Sequence, residues 1–457
     1  MPYVPHTGED RARMLKAIGA ASVEDLFAPI PHEARLCKPL NLPEPLSEQD
    51  LLAAMEALAA RNRTGAACFL GAGCYDHFIP PAVDALANRS EFYTAYTPYQ
   101  PEISQGMLQA FFEYQTMICE ITGMDAANAS MYDGATSLAE AVLLCAGVKK
   151  GRKKVVLSEG IHPEARRVVK TYVSKLGIEV VEVPLDGGRT DPARLGQAAA
   201  GAAAVAVQSP NVLGFLEEQK DAAEAAHKAG ALSVSSVDPV SLGILEPPGA
   251  LGVDVAVGEG QGLGSPMSFG GPHFGFFASR EEFVRHLPGR LVGATVDGKG
   301  RRGFVLTFQT REQHIRREKA TSNICSNQGL MALRAAIALS LLGPRGLAEV
   351  AALCARKAHL AAETLGSVPG FSLMHSGPFF KEFPLSCPVP AARVVEELLQ
   401  DGILAGVPFP RIGLKPDEGL LVAVTEKRTA AEIRAFAAAL KRRFPAKGPG
   451  TGKGKSK

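Results

Sequence analysis

Short runs rich in residues that favour β-strands, mainly valine and phenylalanine, alternate with helical stretches between residues 152 and 280. The runs lie at 154–157, 179–185, 203–207, 231–237, 253–257 and 274–278. Helical stretches separate the first four runs, for example at 163–176 and 219–229. Strands that alternate with helices in this way are typical of a largely parallel sheet with helices on both faces. The pattern therefore predicts an α/β fold.

A different pattern follows residue 330, where a long apolar helix is predicted at 327–342. Further helices are predicted near 345–366, 391–401 and 429–443, with short strands between them. Together with a proline-rich, acidic start that includes a predicted helix at 47–60, this divides the chain into four regions. They are an N-terminal arm at 1–65, a large α/β domain at 66–326, a small C-terminal α+β domain at 327–445 and a disordered basic tail at 446–457.

The composition is that of a globular protein, with 46% hydrophobic and 21% charged residues among 457. The formal net charge is only +2, and no basic face indicates a nucleic-acid partner. The eight cysteines form no CxxC pair and no zinc-type spacing with histidine, so no metal site is predicted. The N-terminus lacks a hydrophobic signal core, and we expect no apolar segment to be long enough to span a bilayer. We therefore expect a cytoplasmic protein without a membrane partner.

A Gly-Ala-Thr turn in the segment Tyr132–Leu144 opens a predicted helix. Free backbone N–H groups and the positive end of the helix dipole make such a turn a place where a phosphate can bind. A capping box formed by Ser137 and Glu140 would explain the same pattern without a ligand. Spacing alone favours the capping box.

The segment Gly258–Gly264 reads GEGQGLG and follows a predicted strand. It does not satisfy G-x-G-x-x-G, because the sixth positions are Leu263 and Ser265, and no amphipathic helix follows. A dinucleotide site is therefore rejected. The glycines instead predict a turn that lets the backbone pass close to a bulky group.

Asp238 follows the predicted strand at 231–237 and precedes Pro239. Open α/β sheets place their ligands at the carboxyl ends of strands, so this position suits a ligand contact. An aspartate before proline is also common in turns. Without other information, the turn is favoured.

The segment 92–105, FYTAYTPYQPEISQ, carries several tyrosines among prolines. Because of the prolines, we predict an extended segment that is not helical. Its hydroxyl groups suit either a binding surface or a packed interface. A second polar segment, 316–326, combines three cations with Thr-Ser-Asn and either binds an anion or caps a helix that begins near Ser326.

These segments together resemble the glycine decarboxylase of the glycine cleavage system, and in particular the N-terminal-half subunit of its split, two-chain form. The resemblance rests on YTAYTPYQPEISQG at 93–106, YDGATSLAEA at 132–141, REKATSNIC at 317–325 and the opening MPYVPHT. It covers nearly the whole chain apart from the tail. It implies the aspartate-aminotransferase-like fold, fold type I of pyridoxal-phosphate (PLP) enzymes, with a mostly parallel sheet in the large domain and a smaller C-terminal α+β domain.

The resemblance also implies roles for individual residues. In cofactor-bearing chains of this kind, a Gly-Ala-Thr turn holds the phosphate, a histidine stacks on the pyridine ring, an aspartate pairs with the ring nitrogen and a lysine binds the cofactor covalently. The first three have counterparts in Gly134, Ala135, Thr136, His162 and Asp238. No lysine occurs between Lys228 and Lys299, and the place where it is expected reads VGEGQG at 257–262. The resemblance therefore implies a degenerate pocket, with no covalently bound cofactor and no catalytic residue on this chain alone.

A partner chain that carries the lysine and PLP is implied as well, in an α2β2 assembly. Such an enzyme decarboxylates glycine and passes the aminomethyl group to the lipoyl group of H-protein. This chain is expected to help complete the partner's site through Tyr96, Tyr99, Gln100, Thr321 and Asn323. Two alternatives stay open: a scaffold subunit without a catalytic role, and a self-sufficient PLP-dependent lyase that uses another lysine, such as Lys319.

Overall fold

The computed structural model describes residues 5–36 and 38–445, and the chain divides into two compact units, Met1–Thr64 and Gly65–Lys457. The predicted tail at 446–457 and the first four residues of the opening motif lie outside the described residues.

The helices are α1 (Gly8–Ile18), α2 (Glu48–Ala59), α3 (Pro81–Ala87), α4 (Ser90–Tyr93), α5 (Gln105–Thr122), α6 (Gly134–Val148), α7 (Pro163–Val173), α8 (Pro192–Ala199), α9 (Gln219–Lys228), α10 (Gln313–Arg316), α11 (Gly329–Gly366), α12 (Ala391–Leu399) and α13 (Ala430–Arg443). The strands are β1 (Ala67–Cys68), β2 (Ala126–Ala127), β3 (Lys154–Ser158), β4 (Glu179–Val183), β5 (Leu185–Asp186), β6 (Arg189–Thr190), β7 (Ala204–Ser209), β8 (Leu232–Val237), β9 (Val255–Glu259), β10 (Gly275–Ser279), β11 (Leu291–Val296), β12 (Arg302–Thr307), β13 (Ser372–Leu373), β14 (Glu382–Ser386), β15 (Ile403–Leu404), β16 (Val407–Pro408) and β17 (Gly419–Ala423).

The first unit contains α1 and α2 and, within its described residues, no strand. Both helices have side-chain caps: Thr7 accepts from the Asp10 N–H at 3.2 Å, and Ser47 accepts from the Asp50 N–H at 3.2 Å. The helix predicted at 47–60 is thereby confirmed. Large apolar side chains are exposed along this unit, namely Met14, Ile18, Val23, Leu26, Phe27, Ile30, Leu36, Leu40, Leu42, Leu46, Leu51, Leu52, Met55 and Leu58. Exposed apolar side chains in such number are typical of a region that binds another protein.

The second unit is built around a seven-stranded sheet with the strand order β2-β10-β9-β8-β7-β3-β4. Strands β4, β3, β7, β8 and β9 run parallel to one another. Strand β10 pairs antiparallel with β9 on one side and with β2 on the other. Each of the six predicted runs contributes a strand to this sheet, so the α/β prediction is confirmed. Strands β3 and β7 to β10 are almost entirely buried, as expected for a sheet that helices cover on both faces.

A four-stranded antiparallel sheet, β13-β14-β17-β16, lies in the C-terminal region. The second half of α11, together with α12 and α13, packs on it around a separate core that contains Leu365, Phe383, Val422 and Phe436. Phe69 packs in the same core, because β1 pairs with β15. These elements form an α+β region, and the exact domain boundaries stay a prediction.

Helix α11 spans 38 residues and consists of two helical parts joined at a kink, in agreement with the two helices predicted at 327–342 and 345–366. It kinks at Gly343, whose φ is +61°, next to Pro344, which cannot donate a backbone hydrogen bond. Among the described residues, α11 alone is long and apolar enough to cross a membrane by length and composition, a test that a core helix also passes. Ala335, Leu347 and Ala358 on this helix are buried in the protein cores.

The polar segments that flank the sheet differ from prediction in two places. Residues 92 and 93 belong to α4, Pro101–Ile103 form a 3-10 helix and Gln105 begins α5, so the prediction of a wholly non-helical segment at 92–105 is wrong at both ends. The physical reason is that Pro98 and Pro101 restrict the residues just before them and leave the chain upstream free to turn. The helix predicted to begin near Ser326 begins at Gly329.

Candidate functional site

A cavity of about 650 Å³ lies at the carboxyl ends of the parallel strands. His162 follows β3, Asn211 follows β7, Asp238 follows β8 and Glu259 ends β9, and all four line the cavity. The start of α6 forms another wall through Gly134. This is the edge at which open α/β sheets bind ligands.

Helix α6 begins at Gly134, with Asp133 as its N-cap. Asp133 Oδ1 accepts from the Thr136 N–H at 2.7 Å, and Thr136 Oγ1 accepts from the Asp133 N–H at 3.2 Å. This reciprocal pair is a capping box, so the predicted box of Ser137 and Glu140 is wrong. Both of those residues are buried inside the helix, because Asp133 adopts the extended backbone conformation that a cap needs and starts the helix earlier.

A second carboxylate, that of Glu259, meets the start of α6. Its Oε2 accepts from the Gly134 N–H at 3.0 Å, and its Oε1 accepts from the Gln261 N–H at 3.1 Å. A Cβ on Gly134 would lie 2.8 Å from the Glu259 backbone nitrogen, so only glycine allows this approach. Burial raises the pKa of Glu259 to about 7. The positive end of α6 thus faces two protein carboxylates, Asp133 and Glu259.

The glycines around Glu259 have the role predicted for them. A Cβ on Gly258 would lie 2.5 Å from the Phe276 ring, and a Cβ on Gly260 would overlap the Phe274 ring. Both rings are fully buried under this turn. The prediction that the glycine-rich segment passes close to bulky groups is therefore confirmed, and the groups are aromatic side chains of the protein.

Asp238 uses both of its carboxylate oxygens inside the protein. Oδ1 accepts from the Val240 N–H at 3.0 Å, which is the turn contact expected from the sequence, and Oδ2 lies 2.7 Å from Lys381 Nζ. Lys381 immediately precedes β14, and its side chain is 2% exposed. Its ammonium also lies 3.7 Å from the centroid of the Tyr75 ring. An unpaired lysine is almost never buried so deeply, so the ion pair and the ring account for its position.

The ion pair continues into a longer series of buried polar groups. Lys381 Nζ donates to His77 Nε2 at 2.9 Å, and His77 Nδ1 donates to Glu426 Oε2 at 2.7 Å. Burial, reinforced by the charge of Lys381, lowers the pKa of His77, so the imidazole is neutral. Burial opposes the ionisation of Glu426, but hydrogen bonds from His77 and the Phe78 amide outweigh it and lower its pKa. We call the series Glu426, His77, Lys381 and Asp238 the buried charge chain.

His77, Glu426 and Cys354 bring three potential metal ligands within 4.8 Å of one another. Burial raises the pKa of the Cys354 thiol to about 12, so the sulfur keeps its proton and donates it to Glu426 at 3.4 Å. Both ring nitrogens of His77 are already engaged in the buried charge chain. The cluster is thus satisfied by its own hydrogen bonds, and we do not assign it as a metal site.

The residues predicted for the degenerate pocket lie close together. Gly134, Ala135, His162 and Asp238 line the cavity, whereas Thr136 does not line it and caps α6. His162 Nδ1 accepts from the Glu164 N–H, and its buried Nε2 has no hydrogen-bond partner among the described residues.

The residues predicted to serve a partner's site are more scattered. Tyr99 and Asn323 line a second cavity of about 530 Å³ at the surface, where Tyr99 Oη accepts from Arg290 at 2.9 Å. The remaining three do not line it, and all are exposed: Tyr96, Gln100 and Thr321. Lys319, the alternative lysine, is exposed and lines neither cavity.

Sequence analysis missed several residues of the larger cavity, above all Lys381 and its neighbour Glu382. Glu382 is buried, accepts from Tyr75 Oη at 3.0 Å and from the Ala72 N–H at 2.7 Å, and has its pKa raised by burial to about 7. One signal was available, because the two charges stand side by side in the apolar run FFKEFPL at 379–385. Charged residues inside a run that predicts a buried strand indicate buried partners.

Comparisons with known proteins point to one protein family. The family model of the glycine cleavage system P-protein matches residues 1–440. The probable glycine dehydrogenase (decarboxylating) subunit 1 of Geotalea daltonii is 51% identical over 441 residues, which span 96% of this chain and 99% of that protein. The protein of the same description from Chlorobium luteolum is 52% identical over 444 residues, with the same shares of the two chains.

Among solved structures, a glycine decarboxylase (P-protein) of the glycine cleavage system in inhibitor-bound form superposes with a TM-score of 0.87. It is 51% identical, and the match covers 97% of this chain and 100% of that one. The sphingosine-1-phosphate lyase of Burkholderia pseudomallei has a TM-score of 0.64 at 16% identity, over 90% of this chain and 94% of that one, and shows a shared fold alone. The predicted type I fold of PLP enzymes is confirmed. The chain belongs to the glycine cleavage system P-protein family.

Proposed function

We propose that the chain is subunit 1 of a two-chain glycine dehydrogenase (decarboxylating) and that a partner chain holds the cofactor. The relatives that match its full length are named as subunit 1 of that enzyme. The observation that carries the proposal concerns the cavity at the cofactor position. Lys381 is the one lysine among the residues that line it, and its ammonium is committed to Asp238 and His77. It is therefore not available to bind a cofactor covalently.

The residues of the cavity do not fit PLP. A phosphate at the start of α6 would meet the carboxylates of Asp133 and Glu259, which already accept the N–H groups there. A pyridine nitrogen directed at Asp238 would meet the ammonium of Lys381. Like charges at both ends oppose the cofactor, so the PLP of the enzyme belongs on the partner chain in this proposal.

We propose that the partner chain binds the exposed apolar side chains of the first unit. The first unit exposes a series of large apolar side chains, including Leu51, Leu52 and Met55 on α2. Such a surface is costly to leave in water and supports a stable hetero-oligomer. We propose an α2β2 complex in the cytoplasm that decarboxylates glycine and passes its aminomethyl group to the lipoyl group of H-protein.

This chain would contribute directly to the partner's site. Tyr96 is 83% exposed, and Gln100 and Thr321 are exposed as well, so their polar groups are free to reach another chain. Tyr99 and Asn323, which lie near these residues in the sequence, line the surface cavity of about 530 Å³. We propose that these five residues complete the partner's glycine site.

The test is exchange of labelled CO2 into the carboxyl group of glycine. It is measured with this chain alone, with the lysine-bearing chain alone and with their mixture, each supplied with PLP and lipoylated H-protein. We expect exchange from the mixture only. Exchange by this chain alone would contradict the proposal and favour a self-sufficient lyase, and full exchange by the partner alone would leave this chain only a scaffold role.

A further inference from the structure

The cavity contains a more specific feature than the missing lysine. We propose that Glu259 and Lys381 act as built-in substitutes for the charges of PLP: the carboxylate takes the place of the phosphate, and the ammonium takes the place of the protonated ring nitrogen. These two side chains determine that the cavity excludes the cofactor. The proposal deepens the proposed function, which assigns the cofactor to a partner, and identifies the groups on this chain that enforce it.

At the phosphate end, the Glu259 carboxylate already fills the anion position. It accepts the first free N–H of α6, that of Gly134, at 3.0 Å. The neighbouring carboxylate of Asp133 accepts the Thr136 N–H at 2.7 Å. The Gly134 and Thr136 amides, which point along the positive end of the helix dipole, are therefore already bonded to the protein's own anions. A phosphate that used these two amides would have to displace one of the carboxylates.

At the other end, Lys381 supplies the positive charge that Asp238 would otherwise take from a ligand. The 2.7 Å contact between Lys381 Nζ and Asp238 Oδ2 is a charge-assisted hydrogen bond in a buried place. The second oxygen of Asp238 is held by the Val240 N–H. A protonated ring nitrogen would have no free acceptor here and would lie beside a like charge.

Glu259 and Lys381 each make further contacts within the protein, so displacing either side chain costs a ligand binding free energy. Glu259 is anchored by the Gln261 N–H and by the close backbone approach at Gly134. Lys381 is held by the neutral His77, which in turn donates to Glu426, and by the face of the Tyr75 ring. The buried charge chain thus serves to position the Lys381 ammonium on Asp238.

The experiment measures binding of 4′-deoxypyridoxine 5′-phosphate to the purified full chain by equilibrium dialysis at about pH 8, above the raised pKa of Glu259 of about 7, so that its carboxylate is ionised. This probe keeps the phosphate and the ring of PLP but lacks the aldehyde, so it cannot react with surface lysines. We expect the wild type to stay unsaturated at probe concentrations that saturate Glu259→Ala. Glu259→Ala frees the Gly134 amide and should bind at least about tenfold more tightly, the effect of one hydrogen bond to a charged group. Adding Lys381→Met should tighten binding further.

Glu164→Ala is the matched control. Glu164 lines the same cavity and carries the same charge, but its side chain pairs with Arg167 and touches neither anchor point. We expect this variant to behave as the wild type, because removing a negative charge from the wall does not free an anchor. An equal gain from Glu164→Ala would show that net charge alone governs binding and would overturn the assignment of Glu259.

The proposal is also overturned if the wild type binds the probe as tightly as Glu259→Ala, or if that variant keeps the wild-type circular dichroism and melting temperature yet gains no binding. If the alanine variant does not fold, Glu259→Gln replaces it, since its amide oxygen still accepts from Gly134 without the charge. A smaller gain is expected there, and its absence in folded protein counts equally against the proposal. None of these measurements involves glycine, so they stand apart from the outcome of the exchange assay.

Discussion

The substitution Lys381→Met removes the ammonium at the centre of the buried charge chain while keeping an unbranched apolar side chain of similar length. It leaves the Asp238 carboxylate, whose side chain is 16% exposed, without its counter-ion and deprives His77 Nε2 of its donor. Breaking a buried ion pair by removing one partner costs about 3–5 kcal/mol, because the remaining charge stays buried. A buried imidazole nitrogen left without its donor adds to this cost. We expect Lys381→Met to lower the free energy of unfolding by about 3–5 kcal/mol.

The loss of unfolding free energy is measured by urea denaturation, monitored by circular dichroism, in the first cooperative transition. The matched control is the double variant Lys381→Met with Asp238→Asn, which removes both charges. Because the neutral pair leaves no uncompensated charge, it should recover at least about half of the loss. A single variant within about 1 kcal/mol of the wild type would refute the reasoning, since a deeply buried and paired charge cannot be removed so cheaply. A double variant no more stable than the single one would show that the ion pair is not the source of the loss.

Three further predictions concern the partner site, the partner surface and the cavity. Tyr96→Phe or Thr321→Ala should lower glycine–CO2 exchange by about tenfold to a hundredfold in complexes that sizing shows to be intact; wild-type exchange in both would favour a scaffold role. Leu51→Asp with Leu52→Asp on α2 should shift the mixture with the partner to smaller species in size-exclusion chromatography, whereas an unchanged elution volume would exclude this surface from the interface. Because the pKa of Glu259 is raised from 4.5 to about 7, its ionisation costs stability as the pH rises through that window. The melting temperature of Glu259→Gln should therefore rise relative to the wild type between about pH 5 and about pH 8, and a difference that does not change with pH would contradict the shift.

The sheet could be predicted from the sequence because its signal is local. Each run of strand-favouring residues between 152 and 280 forms a strand, and the intervening helices made the parallel arrangement the expected one. The glycine-rich turn likewise predicted a close approach, since a missing Cβ is visible in the sequence. What the sequence could not show was the identity of the neighbours, Phe274 and Phe276, which a later strand supplies.

The charges in the cavity depend on contacts between distant parts of the chain. Asp238 follows a strand of the seven-stranded sheet and Lys381 precedes a strand of the four-stranded sheet, while His77 and Glu426 come from near opposite ends of the second unit. Pairing of this kind cannot be inferred from periodicity, although a lysine and a glutamate in the apolar run at 379–385 indicated buried partners. The capping error at α6 has a more local origin. A cap depends on the backbone conformation of Asp133, which residue types alone do not determine.

Which chain carries the cofactor can be measured in the assembled complex. The two chains are mixed with PLP, reduced with borohydride so that any bond between the cofactor and a lysine becomes permanent, and separated for mass measurement of each. We predict one phosphopyridoxyl group on the partner chain and none on this one, because Lys381 is held by Asp238 and His77 and no lysine lies between Lys228 and Lys299. A phosphopyridoxyl group on one lysine of this chain, in stoichiometric yield, would contradict the assignment.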